Sequence, residues 1–198
     1  MTDPRGDRRE QLLDKVVDYV LENGIADLTL RRLGTAVGSN NRMLLYYFGS
    51  REEIIVTALA AAEHRFPRMQ TLLAVIDDES ISLETRLGEA WDIIADPDNR
   101  PFHRLFFQIF GLAGFERERF ADLLTTVSTE WVAHVRDAAI GDGVDPDRAA
   151  VLAHEIVALW RGLQATLIGL GDAALVGRAA RDATATIMLG MTRAADSR

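Results

Sequence analysis

The chain of 198 residues contains no cysteine. That excludes disulfides, thiolate zinc sites and a cysteine nucleophile, and it suits a reducing compartment. Long apolar runs are missing too. The longest stretch without a charged residue is LFFQIFGLAGF, 105–115, eleven residues long. A membrane-spanning helix needs about 20, so no span is expected. The first residues, MTDPRGDRREQ, are polar and mixed in charge, unlike a secretory signal with its apolar centre. A soluble, cytoplasmic protein is the expectation. No pair of strand-like runs, no Asn-Gly hairpin, no internal repeat and no low-complexity tract is found. Positive charge is in short supply: 22 basic residues face 30 acidic ones, a formal net charge of −8.

What the chain does have is apolar residues, 48% of the total, at helical spacing. Leu13, Val16, Val17 and Val20 share one helix face, and Asn23-Gly24 ends that helix. Thr29 is the expected N-cap of a short second helix with Leu30, Leu33 and Val37 inside, closed by Gly38. A third short helix starts at Ser39 or Asn40 and carries Met43, Leu44 and Tyr47. Ser50 and Glu53 have capping-box spacing at the start of a fourth helix, which runs through Ile54, Ile55, Ala58, Leu59 and Ala62 to about Pro67. Further helices are expected at 68–76, 82–95, 102–113, 117–140, 147–170 and 172–195. Asp145 is the N-cap and Pro146 the first residue of the fifth of these. The fold class is all-α.

Against the acidic background one segment is basic. From Leu28 to Arg51 there is no Asp or Glu, while Arg31, Arg32, Arg42 and Arg51 give a local charge of +4. Residues 54–198 hold 14 basic and 21 acidic groups. Two short helices joined at a glycine read as a helix-turn-helix, whose second helix enters the DNA major groove. Asn40, Asn41 and Arg42 at its start are of the types that read base edges: Asn pairs with adenine and Arg with guanine. Thr29, Tyr46, Tyr47, Ser50 and Arg51 offer hydroxyls and charge to phosphates, and the start of the fourth helix adds a positive dipole end. Arg31, Arg32 and Ser39 belong to the same DNA-facing set. DNA should meet the head and not the acidic body. Helix-turn-helix units also occur as plain packing motifs, and a polar short helix is also compatible with a solvated surface.

The segment LTLRRLGTAVGSNNRMLLYYFGSREEII, 28–55, resembles the DNA-binding head of the tetracycline-repressor (TetR) family. The resemblance rests on Thr29-Leu30-Arg31, Gly38, Tyr46-Tyr47-Phe48 and Gly49-Ser50-Arg51-Glu52, and covers about the first 60 residues. Three positions depart. Leu45 stands where the family usually has a Tyr that holds the phosphate backbone. Gly38-Ser39-Asn40 replaces Gly-Val-Ser, which leaves open the N-cap and which of Asn40 and Asn41 faces the bases. Arg51 replaces the commoner Lys. The resemblance implies a head at 1–50 and a helical effector-binding and dimerisation body at 51–198, with 51–66 as the linking helix. It implies a one-component transcriptional regulator, a repressor that binds an inverted-repeat operator as a homodimer and leaves it when a small molecule binds, with no cofactor.

Two features of the body bear on these implications. The last helix sets small residues (Ala179, Ala180, Ala183, Thr184, Ala185, Thr186, Gly190) beside Ile187, Met188, Leu189 and Met191, a surface suited to pairing with its copy. PFHRLFFQIF places Phe102, Phe106, Phe107 and Phe110 on one helix with His103 and Gln108 among them. Trp131 lies on the stripe Leu124, Val127, Trp131, Val135, with His134 nearby, and the resemblance places Trp91 and Trp160 around the same cavity. The ligand-binding set is therefore Trp91, His103, Phe106, Phe107, Phe110, Trp131, His134 and Trp160, for a lipophilic or aromatic molecule. The alternative is that these aromatics fill the core.

An enzyme is disfavoured. The residues three before the four histidines are Ala61, Arg100, Trp131 and Val151, so the Glu-x-x-His of di-iron bundles is absent. His154-Glu155 opens like a zinc-protease helix, but position 158 is Ala. DDE and DGVDPD lack calcium-loop spacing, and no phosphate loop is present, so no metal is expected. A helical scaffold or ligand-binding protein without a DNA role is the remaining alternative, and it has no need of a short acid-free helix between two capped ones.

Overall fold

The computed structural model describes residues 4–169 and 171–195, with side chains over 6–126, 129–169 and 171–189. Among the described residues all regular structure is helical. The chain forms two compact units. The first runs to Pro67 and also takes in Pro101–Leu124; the second comprises Arg68–Arg100 and the chain from Thr125 onward.

The first unit is built on four helices in sequence: α1 (Pro4–Asn23), α2 (Leu30–Ala36), α3 (Asn41–Phe48) and α4 (Arg51–Glu63). Leu12, Val16, Val17 and Val20 are buried on α1, and Ile54, Ile55, Ala58, Leu59 and Ala62 on α4. These apolar faces make α1 and α4 partners. Leu12 takes the buried place expected of Leu13, which is half-buried. Gly24, with φ of 69°, ends α1 in the left-handed C′ position. Thr29 caps α2, its Oγ1 accepting from Arg32 N at 3.2 Å. Leu33 and Val37 are buried beneath α2. Gly34 lets the α2–α3 turn fold back: a Cβ there would stand 3.1 Å from Asn40 Cα. On α3 the core residues are Leu44 and Phe48, while Met43 and Tyr47 are half-buried. Ser50 and Glu53 form the expected capping box on α4.

Because the inner face of α4 is part of this core, the unit does not end at residue 50 but at Pro67. It also includes residues 101–115 of α8 (Arg100–Phe115), of which Phe102, His103, Leu105, Ile109 and Ala113 are buried. Phe102 lies against Phe66 with ring centroids 5.7 Å apart.

The second unit contains α5 (Pro67–Gln70), α6 (Leu72–Ile76), α7 (Leu83–Ile94), a 3-10 turn at Pro97–Asn99, most of α9 (Ala121–Gly141), α10 (Pro146–Gly169) and α11 (Ala173–Ala195). One helix expected at 68–76 is broken in two at Thr71. The helix expected from 117 begins at Ala121, because Phe120 is turned into the core and Arg119 reaches Glu52 at 3.4 Å. Asp145 Oδ1 accepts from the N–H groups of Asp147 and Arg148, both at 3.2 Å, and Pro146 opens α10 as expected. Within the unit α6 packs on α7, and α11 on both α7 and α10. Among the described residues of its core is a buried arginine. Arg86 donates to Asp142 Oδ1 at 2.7 Å and to the carbonyl of Ile76 at 3.2 Å. Among the described residues no helix is long and apolar enough to cross a membrane.

Candidate nucleic-acid interface

Asn40 settles the start of α3. Its backbone is extended, and its Oδ1 accepts from Met43 N at 3.0 Å. Asn40 is therefore the N-cap, and its side-chain oxygen is committed to the helix. Asn41 and Arg42, the first two residues of α3, are both exposed. Of the two asparagines, only Asn41 keeps donor and acceptor together for the two-point pairing that adenine requires. Ser39 sits half-buried in the turn, its N–H donating to Gly34 O at 2.7 Å.

Further along α3, Tyr46 is 62% exposed and stands edge-on to Tyr47, 5.1 Å between centroids. Tyr47 is half-buried, and its ring edge meets Phe48 at 6.5 Å. Leu45 is 40% exposed. Arg9 from α1 is spent internally: it donates to Tyr47 O at 3.4 Å, and its guanidinium lies 5.2 Å from the Phe48 ring centre.

On α2 the exposed residues Arg31, Arg32 and Thr35, with Thr29 and Ala36, line an open depression of about 460 Å³ together with Tyr19 and Asn23 of α1. Thr35 Oγ1 donates to Arg31 O at 3.0 Å. Tyr19, Asn23 and Thr35 were not evident as members of this set from the sequence. Tyr19 and Asn23 lie outside the acid-free window, and only the crossing of α1 with α2 brings them beside the arginines.

At the head of α4 the picture differs from the expectation. Arg51 is 27% exposed, and its Nε donates to Leu28 O at 3.1 Å. Its Nη1 lies 3.5 Å from Glu52, which also meets Arg119 at 3.4 Å. Ser50 N donates to Glu53 Oε2 at 2.7 Å, and Glu53 N to Ser50 Oγ at 3.1 Å. The positive end of α4, expected to draw a phosphate, already holds the Glu53 carboxylate. Both acids that follow the basic window are thus engaged within the protein, which limits their repulsion of an approaching polyanion.

No protein-family model matches the sequence, and no curated protein matches it. Solved structures do match. A transcriptional regulator from Rhodococcus sp. Rha1 superposes with a TM-score of 0.70 at 18% identity, covering 92% of this chain and 96% of that one. A TetR-like transcriptional regulator from Rhodococcus sp. RHA1 gives 0.68 at 15% identity, covering 96% of this chain and 100% of that one. The multidrug binding protein EbrR, solved with imidazole, gives 0.67 at 22% identity, covering 93% and 96%. The chain has the TetR fold.

Within the TetR fold the expected ligand residues fall in both units. In the first, His103 is buried, and Phe106, Phe107 and Phe110 are half-buried on α8. Phe106 stacks on Phe110 at 5.8 Å and meets Phe107 edge-on at 5.4 Å. Gln108, expected among the polar groups of a cavity, instead accepts from Ile25 N at 2.6 Å. In the second unit Trp91 and Trp160 are buried, and the indole N–H of each has no hydrogen-bond partner. Trp131 and His134 are half-buried, and His134 Nδ1 lies 3.6 Å from Asp77 Oδ1. The side chain of Val127, part of the expected stripe with Trp131, lies outside the described residues, as do those of Gly190 and Met191. Among the described residues no group of three or more His, Asp or Glu is placed to hold a metal.

Proposed function

We propose that this protein is a one-component transcriptional regulator, a cytoplasmic repressor that binds an inverted-repeat operator as a homodimer and leaves it when a lipophilic or aromatic molecule binds. The observation that carries the reading is the acid-free face of α2 and α3. It presents Arg31, Arg32, Asn41, Arg42 and Tyr46 to solvent while the flanking Glu52 and Glu53 are engaged internally. Asn41 and Arg42 are the base-reading pair. Thr29, Arg31, Arg32 and Tyr46 take phosphates, and Asn40, Ser50 and Arg51 chiefly hold the head in shape.

Exposed apolar groups in the second unit support the dimer. Val151 on α10 and Leu175 and Leu189 on α11 are 46%, 54% and 61% exposed, and a second copy of these helices would cover them. The aromatic cluster on α8 supports an apolar effector. So does the fold shared with EbrR, which is described as a multidrug binding protein. The effector releases DNA by favouring one of two body shapes, and the change in operator affinity is bounded by its preference between them.

The test is binding of the purified protein to duplex DNA by fluorescence anisotropy at increasing salt. With about six phosphate contacts, affinity should fall on the order of a thousand-fold between about 50 and 200 mM salt. Absence of binding at low salt would overturn the proposal.

A further inference from the structure

Six residues, 24–29, join α1 to α2, and two side chains from elsewhere in the chain hold them. Gly24 turns the chain with φ of 69°. Ile25 and Leu28 are then buried, and Leu28 N donates back to Ile25 O at 3.1 Å. At the entry to this turn, Ile25 N donates to the side-chain oxygen of Gln108, on α8, at 2.6 Å. At its exit, Leu28 O accepts from Arg51 Nε of α4 at 3.1 Å. The next residue is Thr29, the cap of α2. The fit at Gly24 is close: a Cβ there would stand 2.5 Å from Gln108 Oε1.

We propose that Gln108 is a positioning residue for DNA binding, its side-chain carbonyl fixing the α1–α2 turn and through it the placement of α2 and its arginines on the duplex. The inference rests on the DNA-binding reading above. The bond is made by an exposed side chain to the backbone N–H of buried Ile25. Its loss removes one partly buried hydrogen bond and leaves the apolar core of the head in place. It does loosen the entry to the turn that sets α2, a helix of only seven residues with two buried positions, Leu33 and Gly34, and leaves the Arg51 bond to Leu28 O as the one side-chain tie named above. A small displacement of Arg31 and Arg32 then degrades their fit to phosphate oxygens.

The experiment compares the full-length protein with Gln108→Met, which keeps length and loses the acceptor, and Gln108→Glu, which keeps an acceptor oxygen in place. Affinity for a duplex selected by the wild-type protein is measured by anisotropy at about 0.15 M salt, where exposed charges are screened beyond about 8 Å, and thermal unfolding is followed in parallel. Gln108→Met is expected to bind about two- to thirty-fold more weakly while still unfolding in one cooperative transition above the assay temperature, and Gln108→Glu to recover most of that loss. Wild-type affinity in Gln108→Met would overturn the inference, as would a loss that follows unfolding and is not recovered by Gln108→Glu. Should Gln108→Met not fold, hydrogen exchange at the Ile25 amide of the intact chain decides. Slowing on addition of the duplex supports the role, and unchanged exchange overturns it. A wild-type protein that binds no duplex at all removes the DNA-binding reading itself.

Discussion

Arg42 and Arg51 carry the same charge in the same basic window, yet their surroundings assign them different work. Arg42 is exposed at the second position of α3 with Asn41 beside it. Arg51 is only 27% exposed and bonded to Leu28 O. Arg42→Ala should cost about 1–3 kcal/mol of operator affinity and relax preference at one base pair. Arg51→Ala should weaken all sequences alike and also lower the melting temperature. Anisotropy against a panel of single-base variants, with a thermal melt of each protein, separates the two. An equal, sequence-independent loss for both would make Arg42 a phosphate contact. The neighbouring asparagines divide in the same way. Asn40→Ala removes the cap on α3 and should cost about 1 kcal/mol of stability, whereas Asn41→Ala should leave the melt unchanged and reduce affinity only. Buried Arg86 gives a prediction away from DNA. Asp142→Ala leaves that guanidinium without its carboxylate and should destabilise the fold by about 1.5–3 kcal/mol, read as a lower midpoint in urea.

At the scale of the element, what was legible in the sequence is what is local in the structure. Thr29, Ser50 with Glu53, and Asp145 with Pro146 act as helix starts within three residues of chain, and each was readable from spacing. Ser50→Ala should accordingly cost about 1 kcal/mol, measurable by thermal denaturation. The features that were not legible depend on distant partners. The helix expected from residue 117 starts at Ala121 because Phe120 finds burial and Arg119 finds Glu52, 67 residues away. The head was expected to end at residue 50, but α4 shares its core with α1, so the unit continues to Pro67. Gln108 reads as one polar residue in an aromatic helix, and only the fold shows that it meets Ile25, 83 residues away. Within the candidate interface the residue types were evident from the acid-free window. The division between Asn40 as cap and Asn41 as the exposed first residue of α3 was not, since the two stand side by side at the helix start and either type can cap.

For the whole molecule, a dimer and an effector are the two consequences to test beyond the head. Static light scattering at micromolar concentration should give twice the 21.9 kDa chain mass, and Leu189→Glu, placing a charge on the exposed apolar part of α11, should shift that mass toward the monomer. Compounds screened for operator release should include lipophilic aromatics, and Phe107→Ala or Trp131→Ala should raise the concentration needed for release while leaving operator affinity in place. If both variants fold, bind operator and respond at unchanged concentration, those residues do not line the effector site. Each of these effects presupposes a specific operator. The most direct measurement is therefore selection of bound duplexes from a random pool by the purified protein, followed by sequencing. The expected result is enrichment of an inverted repeat whose preference at one symmetric pair of positions is lost with Arg42→Ala. A pool that emerges without an enriched motif, or with one indifferent to every residue of α2 and α3, would contradict the assignment of this face to DNA.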